Sequence, residues 1–299
     1  MPELPEVETI RSGLSRLIKG KTIQSVESDY PKSFPNSEND VKHFLIGSKI
    51  KQVRRRGKAL LLDLSSGYTL IVHLKMTGQL VYTADKVHYG GGHPGPSLLG
   101  RLPDKSTRVI LSLSGGSRLY FNDVRKFGWM RLYPTLDIGE LDFFKKLGPD
   151  PLEPAFSWQQ LRERLLRRSR SSVKAALMDQ TVIAGIGNIY ADESLWGAKI
   201  HPQTTPFSLK DNDYRKLYAS IKDILKLSLD KGGSTDRNYV NAEGGRGSYL
   251  EFARVFRRQG QPCPRCGTTI IKIKVAGRGT HLCPSCQKIK QPKDIMKST

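Results

Sequence analysis

Two sets of residues in this 299-residue chain have the types and spacing to do chemistry, and they lie at opposite ends of it. The chain opens Met1-Pro2-Glu3-Leu4-Pro5-Glu6-Val7-Glu8-Thr9. Removal of Met1, usual before a small residue such as proline, leaves Pro2 with a free secondary amine. Its ordinary pKa lies near ~8, so part of it is unprotonated at neutral pH. Such an amine attacks carbonyl carbon, and because it is secondary its aldehyde adduct is a permanently charged iminium, the electron sink that Schiff-base enzymes usually build from lysine. Glu3 stands beside it as a candidate proton shuttle. The plainer reading of the same segment is a proline-rich arm feeding a helix, with Glu6 and Glu8 favouring the helix N-terminus. These residues alone leave both readings open.

At the other end are all four cysteines, as Cys263-Pro-Arg-Cys266 and Cys283-Pro-Ser-Cys286, with 16 residues between the pairs. Two C-x2-C knuckles at this separation let a hairpin close four thiolates around one tetrahedral Zn²⁺. Two disulfides are the alternative, disfavoured by the tight pairs and by a chain that reads as cytosolic. Between the knuckles, the residues from Thr268 to Val275 alternate as a strand does, Ala276 to Thr280 turn, and His281-Leu282 return, which predicts a β-hairpin zinc finger. Arg278, between two glycines at the expected tip, is placed to reach a phosphate or simply to be solvated.

These ends need a scaffold, and composition says what it faces. The count is 49 Lys+Arg against 28 Asp+Glu, a formal charge of +21, with 37% hydrophobic residues. Such a chain is too apolar for a disordered basic tail and too basic for an ordinary metabolic enzyme, so a polyanion is the natural partner. Its length fits two or more domains. No run approaches the ~20 apolar residues of a membrane span, and the N-terminus lacks a signal-peptide pattern, so the expected location is the cytosol.

Apolar spacing from Val7 to Leu17 predicts a first helix ending at Gly20. Strand-like runs follow at 49–53, 59–64, 69–74, 108–113 and 118–121, separated by Gly/Ser turns, which points to a sandwich or barrel. The glycine-rich stretch from Val87 to Gly100 reads as a flexible loop. Beyond Leu147 the texture turns helical, with helices expected over Trp158–Arg168, Ser172–Met178 and Asp211–Leu229. In the run from Gly185 to Trp196, a glycine-broken turn presents Asn188 as the N-cap of another helix. A long glycine-rich segment, Gly232 to Gly247, follows.

Taken together, the Pro2-Glu3-Leu-Pro-Glu6 start, Arg56-Gly-Lys58, His73-Leu-Lys-Met76-Thr-Gly, Asn122-Asp-Val-Arg125-Lys-Phe127-Gly128, Leu147-Gly-Pro-Asp-Pro151, Gly187-Asn188-Ile-Tyr-Ala-Asp-Glu193 and the cysteine finger resemble formamidopyrimidine-DNA glycosylase over essentially the whole chain. Leu4 looks like that branch; the sibling endonuclease VIII, which acts on oxidised pyrimidines, typically starts Pro-Glu-Gly-Pro-Glu. The resemblance implies an α+β multidomain protein. Its expected parts are an N-terminal β-sandwich with a flanking helix (2–135), a linker (136–150), a helix-two-turn-helix domain (151–255) with a base-capping loop at 232–247, a β-hairpin zinc finger (256–290) and a basic tail (291–299).

The same resemblance implies a monomeric bifunctional enzyme that excises oxidised purines, 8-oxoguanine and formamidopyrimidines, from duplex DNA and cleaves at the abasic site. By position, Pro2 matches the nucleophile, Glu3 the general acid, Glu6 its support, Lys58 the proton donor and phosphate contact, and Arg278 the finger arginine that grips flanking phosphates. Met76, Arg125 and Phe127 match the wedge that fills the space of an extruded base. Lys174, Arg168 and Asn188 match phosphate ligands, Cys263, Cys266, Cys283 and Cys286 the ligands of one structural Zn²⁺. Three positions depart from the pattern. Ser106, counted with the DNA-binding residues, stands where a DNA-contacting histidine is common, the 87–100 stretch looks extended, and Phe256 replaces a frequent tyrosine. The rival classes are a non-catalytic damaged-DNA binder, which needs a blocked N-terminus, and an RNA-binding zinc protein, for which no recognition signature is present.

Overall fold

The structure, a computed structural model, describes residues 1–233 and 249–290. The described residues form two compact units: 1–145 with 228–233 and Tyr249, and 146–227 with 250–290. The 291–299 tail and most of the anticipated 232–247 loop lie outside the described residues.

The first unit is a two-sheet sandwich behind helix α1 (Leu4–Ile18). Its strands are β1 (Ile23–Ser28), β2 (Ile50–Arg56), β3 (Ala59–Leu64), β4 (Tyr68–His73), β5 (Gly78–Ala84), β6 (Val87–Gly92), β7 (Thr107–Leu113), β8 (Ser117–Asp123) and β9 (Trp129–Pro134). One sheet runs β1-β7-β8-β5-β6 and the other β2-β3-β4-β9, every pair antiparallel. Val53, Leu60, Leu62 and Val72 of the smaller sheet share one core with Leu80, Leu111, Leu119 and Phe121 of the larger and with Val7, Ile10 and Leu14 of α1. All five expected strands are present, and β1, β5, β6 and β9 complete the sheets.

The expected loop at 87–100 is corrected by this arrangement. Val87–Gly92 is an edge strand paired residue for residue with β5, and Pro96–Leu98 is a short helical turn. Glycine in a strand marks close backbone approach rather than a break. A Cβ on Gly92 would collide with the carbonyl oxygen of Gly78, and Gly92 holds φ +128. Tyr89 of the same strand is buried on α1, where Gly13 makes room for its ring and the Thr9 carbonyl accepts its hydroxyl at 3.2 Å.

The second unit contains α2 (Trp158–Leu166), α3 (Val173–Met178), α4 (Asn188–Gly197) and most of α5 (Asp211–Asp230), then the finger hairpin β10 (Ile271–Val275) and β11 (Arg278–Leu282). Ser157 and Ser172 cap α2 and α3 through hydroxyls that accept the Gln160 and Ala175 amides. The hairpin turns on Ala276 and Gly277 alone, both at positive φ, so Arg278 opens the return strand opposite Val275 instead of sitting mid-turn. No helix among the described residues is long and apolar enough to cross a membrane.

Candidate active site

In the first unit, Glu3 is the residue before α1, and Glu6 reaches back to accept its amide at 2.8 Å in a capping-box arrangement. Pro2, Glu3 and Glu6 are all buried. The Met1 ammonium lies near enough to Glu3, Glu6, Lys58 and Arg125 to feel each charge. Burial, the largest influence, holds its pKa below the ordinary amine value, against the pull of the two carboxylates. Gly233 closes on the same group, since a Cβ there would stand 3.3 Å from Glu6 Oε1. Its carbonyl accepts the Tyr249 amide, so the two ends of the intervening segment meet there.

Lys58 sits with Gly57 in the two-residue turn between β2 and β3, Gly57 holding φ +58. That turn is tied to the helix by a residue that charge alone would class as surface. Arg55, with a side chain only 6% exposed, pairs with Glu8 of α1 at 2.8 Å and donates to the Gly57 carbonyl at 3.0 Å. Four of the expected residues, Glu3, Glu6, Lys58 and Arg125, thus act electrostatically on the chain start.

Met76 lies in the turn from β4 to β5, Arg125 and Phe127 in the loop from β8 to β9. Phe127 is 54% exposed, and the Arg125 guanidinium stacks 4.8 Å over its ring. Beneath the Met76 turn, His73 accepts the Lys75 amide through Nδ1 at 3.0 Å. Burial, then the charges of Lys75 and Lys58, push its pKa down to about 3, so the ring is neutral.

Ser106 is not presented to a ligand. Its hydroxyl is buried against Asp104 and Ser97, so the expected DNA contact at this position is corrected to an internal loop brace. The reason is the short Asp104-Lys105-Ser106-Thr107 turn, in which Asp104 gathers the Ser106 and Thr107 groups.

In the second unit the finger brings other expected residues together. Asn188 is the first residue of α4 and Gly187 the cap, which corrects the N-cap expectation. The freed amide donates to the Gly279 carbonyl at 3.1 Å. Lys174 is fully buried, bonded to the same carbonyl at 3.2 Å and to Thr280 Oγ1 at 2.7 Å, and ion-paired with Asp192 at 2.7 Å. An ammonium so enclosed holds the hairpin rather than a phosphate, a correction its charge could not foretell. Asp192 also accepts the His281 amide at 2.9 Å. Glu193 next to it accepts the amides of Arg254, Val255 and Phe256; burial, the larger influence, pushes its pKa up against these three donors. Phe256 packs its ring edge-on to His281. Arg278 and Arg168 are exposed, the latter paired with Asp179.

The four cysteine sulfurs lie within 4.8 Å of one another. A tetrahedral Zn²⁺ with ~2.3 Å bonds places thiolates roughly 3.8 Å apart, so the set fits one ion. Cys263 Sγ additionally accepts the Trp196 indole N–H at 3.4 Å, and Cys283 Sγ the Cys286 amide at 3.4 Å, the outer contacts that orient thiolate ligands.

Family models match three stretches: formamidopyrimidine-DNA glycosylase N-terminal domain over 1–130, its H2TH domain over 147–239, and a zinc finger found in FPG and IleRS over 260–289. Formamidopyrimidine-DNA glycosylase of Pelotomaculum thermopropionicum is 44% identical, covering 97% of this chain and all of that protein; the Pediococcus pentosaceus enzyme is 42% identical with the same coverage. Among solved structures, a mutant Lactococcus lactis FPG bound to a Fapy-dG containing DNA aligns with TM-score 0.84 at 38% identity, over 96% of this chain and 100% of that one. MutM bound to carbocyclic 8-oxo-G containing DNA aligns with TM-score 0.83 at 37% identity, with the same coverage.

Proposed function

Because the chain belongs to the formamidopyrimidine-DNA glycosylase family and is a zinc-containing DNA glycosylase of base excision repair, we propose that it excises oxidised purines, 8-oxoguanine and formamidopyrimidines, from duplex DNA and then cleaves the strand as an abasic-site lyase. The observation that carries this reading is the chain start: Pro2 is buried with Glu3 and Glu6, and the adjoining Met1 ammonium feels both carboxylates and Lys58. With Met1 removed, the Pro2 nitrogen attacks C1′ and the C1′–N bond to the damaged base breaks, its electron pair leaving with the base. Glu3 protonates the sugar-ring oxygen, the ring opens, and the iminium forms on Pro2. Loss of a C2′ proton then expels the 3′ phosphate, with Lys58 as proton carrier, and a second elimination expels the 5′ phosphate.

Met76, Arg125 and Phe127 fill the gap left by the extruded nucleotide, the arginine bonding the orphaned base. Arg278, Arg168 and Asn188 contact flanking phosphates, and Lys174 acts through the finger that it anchors. Zn²⁺ on Cys263, Cys266, Cys283 and Cys286 is structural. The protein acts as a monomer on DNA in the cytoplasm, a reducing compartment that suits four thiolates held by a metal.

Borohydride reduction of Met1-free protein on a duplex with one 8-oxoguanine opposite cytosine tests the reading. A covalent complex through Pro2 is expected, and Met1-retaining protein should give none. Folded, zinc-loaded, Met1-free protein that neither traps nor nicks this duplex would overturn the assignment.

A further inference from the structure

The three residues proposed to enter the duplex stand on two loops that cross between the sheets. The Met76 turn leads from β4 of the smaller sheet to β5 of the larger, and the Arg125–Phe127 loop from β8 of the larger to β9 of the smaller. Strand pairing ends before either loop reaches its functional residue. One carboxylate serves both. Asp123, the last residue of β8, is 0% exposed. Its Oδ1 accepts the Thr77 hydroxyl from the first loop and the Arg125 amide at 3.1 Å from the second. Its Oδ2 accepts the amides of Phe127 at 2.8 Å and Gly128 at 2.6 Å. The Arg125 amide also approaches Thr77 Oγ1 at 3.2 Å, so the hydroxyl and carboxylate knit the loops directly.

We propose that Asp123 is the positioning residue that fixes Met76 relative to Arg125 and Phe127, and through them couples base extrusion to recognition of the base opposite. This rests on the wedge reading of those three residues. A carboxylate suits the post because both oxygens only accept, and all four groups facing it donate. An amide in its place turns one acceptor into a donor aimed at another donor. Backbone strain marks the same pair of loops: Lys75 and Lys126, the residues just before Met76 and Phe127, sit at φ +48 and +58. Left-handed lysines persist only where their surroundings fix them, and Asp123 with His73 does so here. Gly128 leaves the space, since a Cβ there would stand 2.6 Å from the Phe121 ring and 3.1 Å from the Asp123 carboxylate.

The test compares Asp123→Asn and Thr77→Val with Phe127→Ala and Arg125→Ala, each checked for melting temperature and zinc content. Two kinds of duplex are used: one carries 8-oxoguanine opposite each of the four bases in turn, the other a preformed abasic site, which has no base to extrude. In Asp123→Asn the ratio of excision to abasic-site cleavage falls on the order of 10²-fold, as expected for misplaced groups, and opposite-base preference flattens. Thr77→Val, which loses the hydroxyl's bonds to Asp123 and to the Arg125 amide but leaves the Arg125, Phe127 and Gly128 amides on the carboxylate, shows the same pattern more weakly and decides the matter if Asp123→Asn does not fold. Parallel loss of both activities, or an unchanged ratio and preference, overturns the positioning role. If Phe127→Ala and Arg125→Ala leave excision and preference intact, the wedge reading itself fails and this inference with it.

Discussion

In the unit built on two sheets, Glu3, Lys58, Met76 and Phe127 hang from strand and helix ends whose other side is an apolar core of leucines, valines and isoleucines. In the unit that carries the finger, Arg278 hangs from a hairpin whose apolar base is small: Trp196, Val255 and Ile270 around Cys263 and Cys283. What replaces the missing core there is polar and ionic. Lys174, Asn188 and Asp192 grip the backbone of Gly279 to His281, and Glu193 grips that of Arg254 to Phe256. A sandwich rigidifies its loops by burying area. A short finger cannot bury enough, and needs a metal together with buried charges whose partners are all in place.

Metal removal should separate the two most sharply. Structural zinc contributes on the order of 10 kcal/mol to small domains, so chelation or Cys283→Ser should abolish amide protection across β10 and β11 while β3 and β4 keep theirs. DNA binding should fall with it. Finger protection that survives proven metal loss would mean that the polar grip alone suffices, and the contrast would dissolve.

A pair of substitutions probes the two supports at similar cost. Lys174→Met leaves Asp192 buried without its ion-pair partner, which should cost about 3–5 kcal/mol, and a second change, Asp192→Leu, should recover part of it. Tyr89→Ala empties a large buried site on α1 and should also cost about 3–5 kcal/mol, with no rescue by a charge change. Denaturant unfolding of each variant measures both. A near-neutral Tyr89→Ala would return the 87–92 segment to the status of a loop.

These same residues show where the sequence was legible. The cysteine quartet, the first helix and the five strand-like runs are local patterns, and each is seen in the structure close to its expected bounds. The strand at 87–92 was hidden because glycine carries no side chain to alternate, and its reason for being there is backbone from Gly78, contributed by another strand. Lys174 matches a phosphate ligand by position, but what encloses it is tertiary: the Gly279 carbonyl lies 105 residues away. Asp123 lies inside the Asn122–Gly128 motif, yet its link to Thr77 is a tertiary fact. Arg55, whose pairing with Glu8 orients the Lys58 turn, escaped notice for the same reason.

The smallest effect concerns His73, a buried titratable group beneath the Met76 turn of the sandwich. Its folded pKa of about 3 lies below the ordinary 6.5, because burial and the neighbouring Lys75 and Lys58 oppose a charged ring. The unfolded chain takes up a proton that the folded state refuses. The stability tied to neutral His73 is therefore fully present above pH ~6.5 and is lost as pH falls toward 3, at roughly 1.4 kcal/mol per pH unit for one proton. His73→Gln keeps an acceptor for the Lys75 amide but does not titrate. Urea midpoints between pH 5 and 7 should fall with acid in the unmodified protein and flatten by about one proton in His73→Gln. An unchanged slope would show that the ring protonates in place, and that the sandwich supports its wedge turn by burial of apolar area without help from a neutral imidazole.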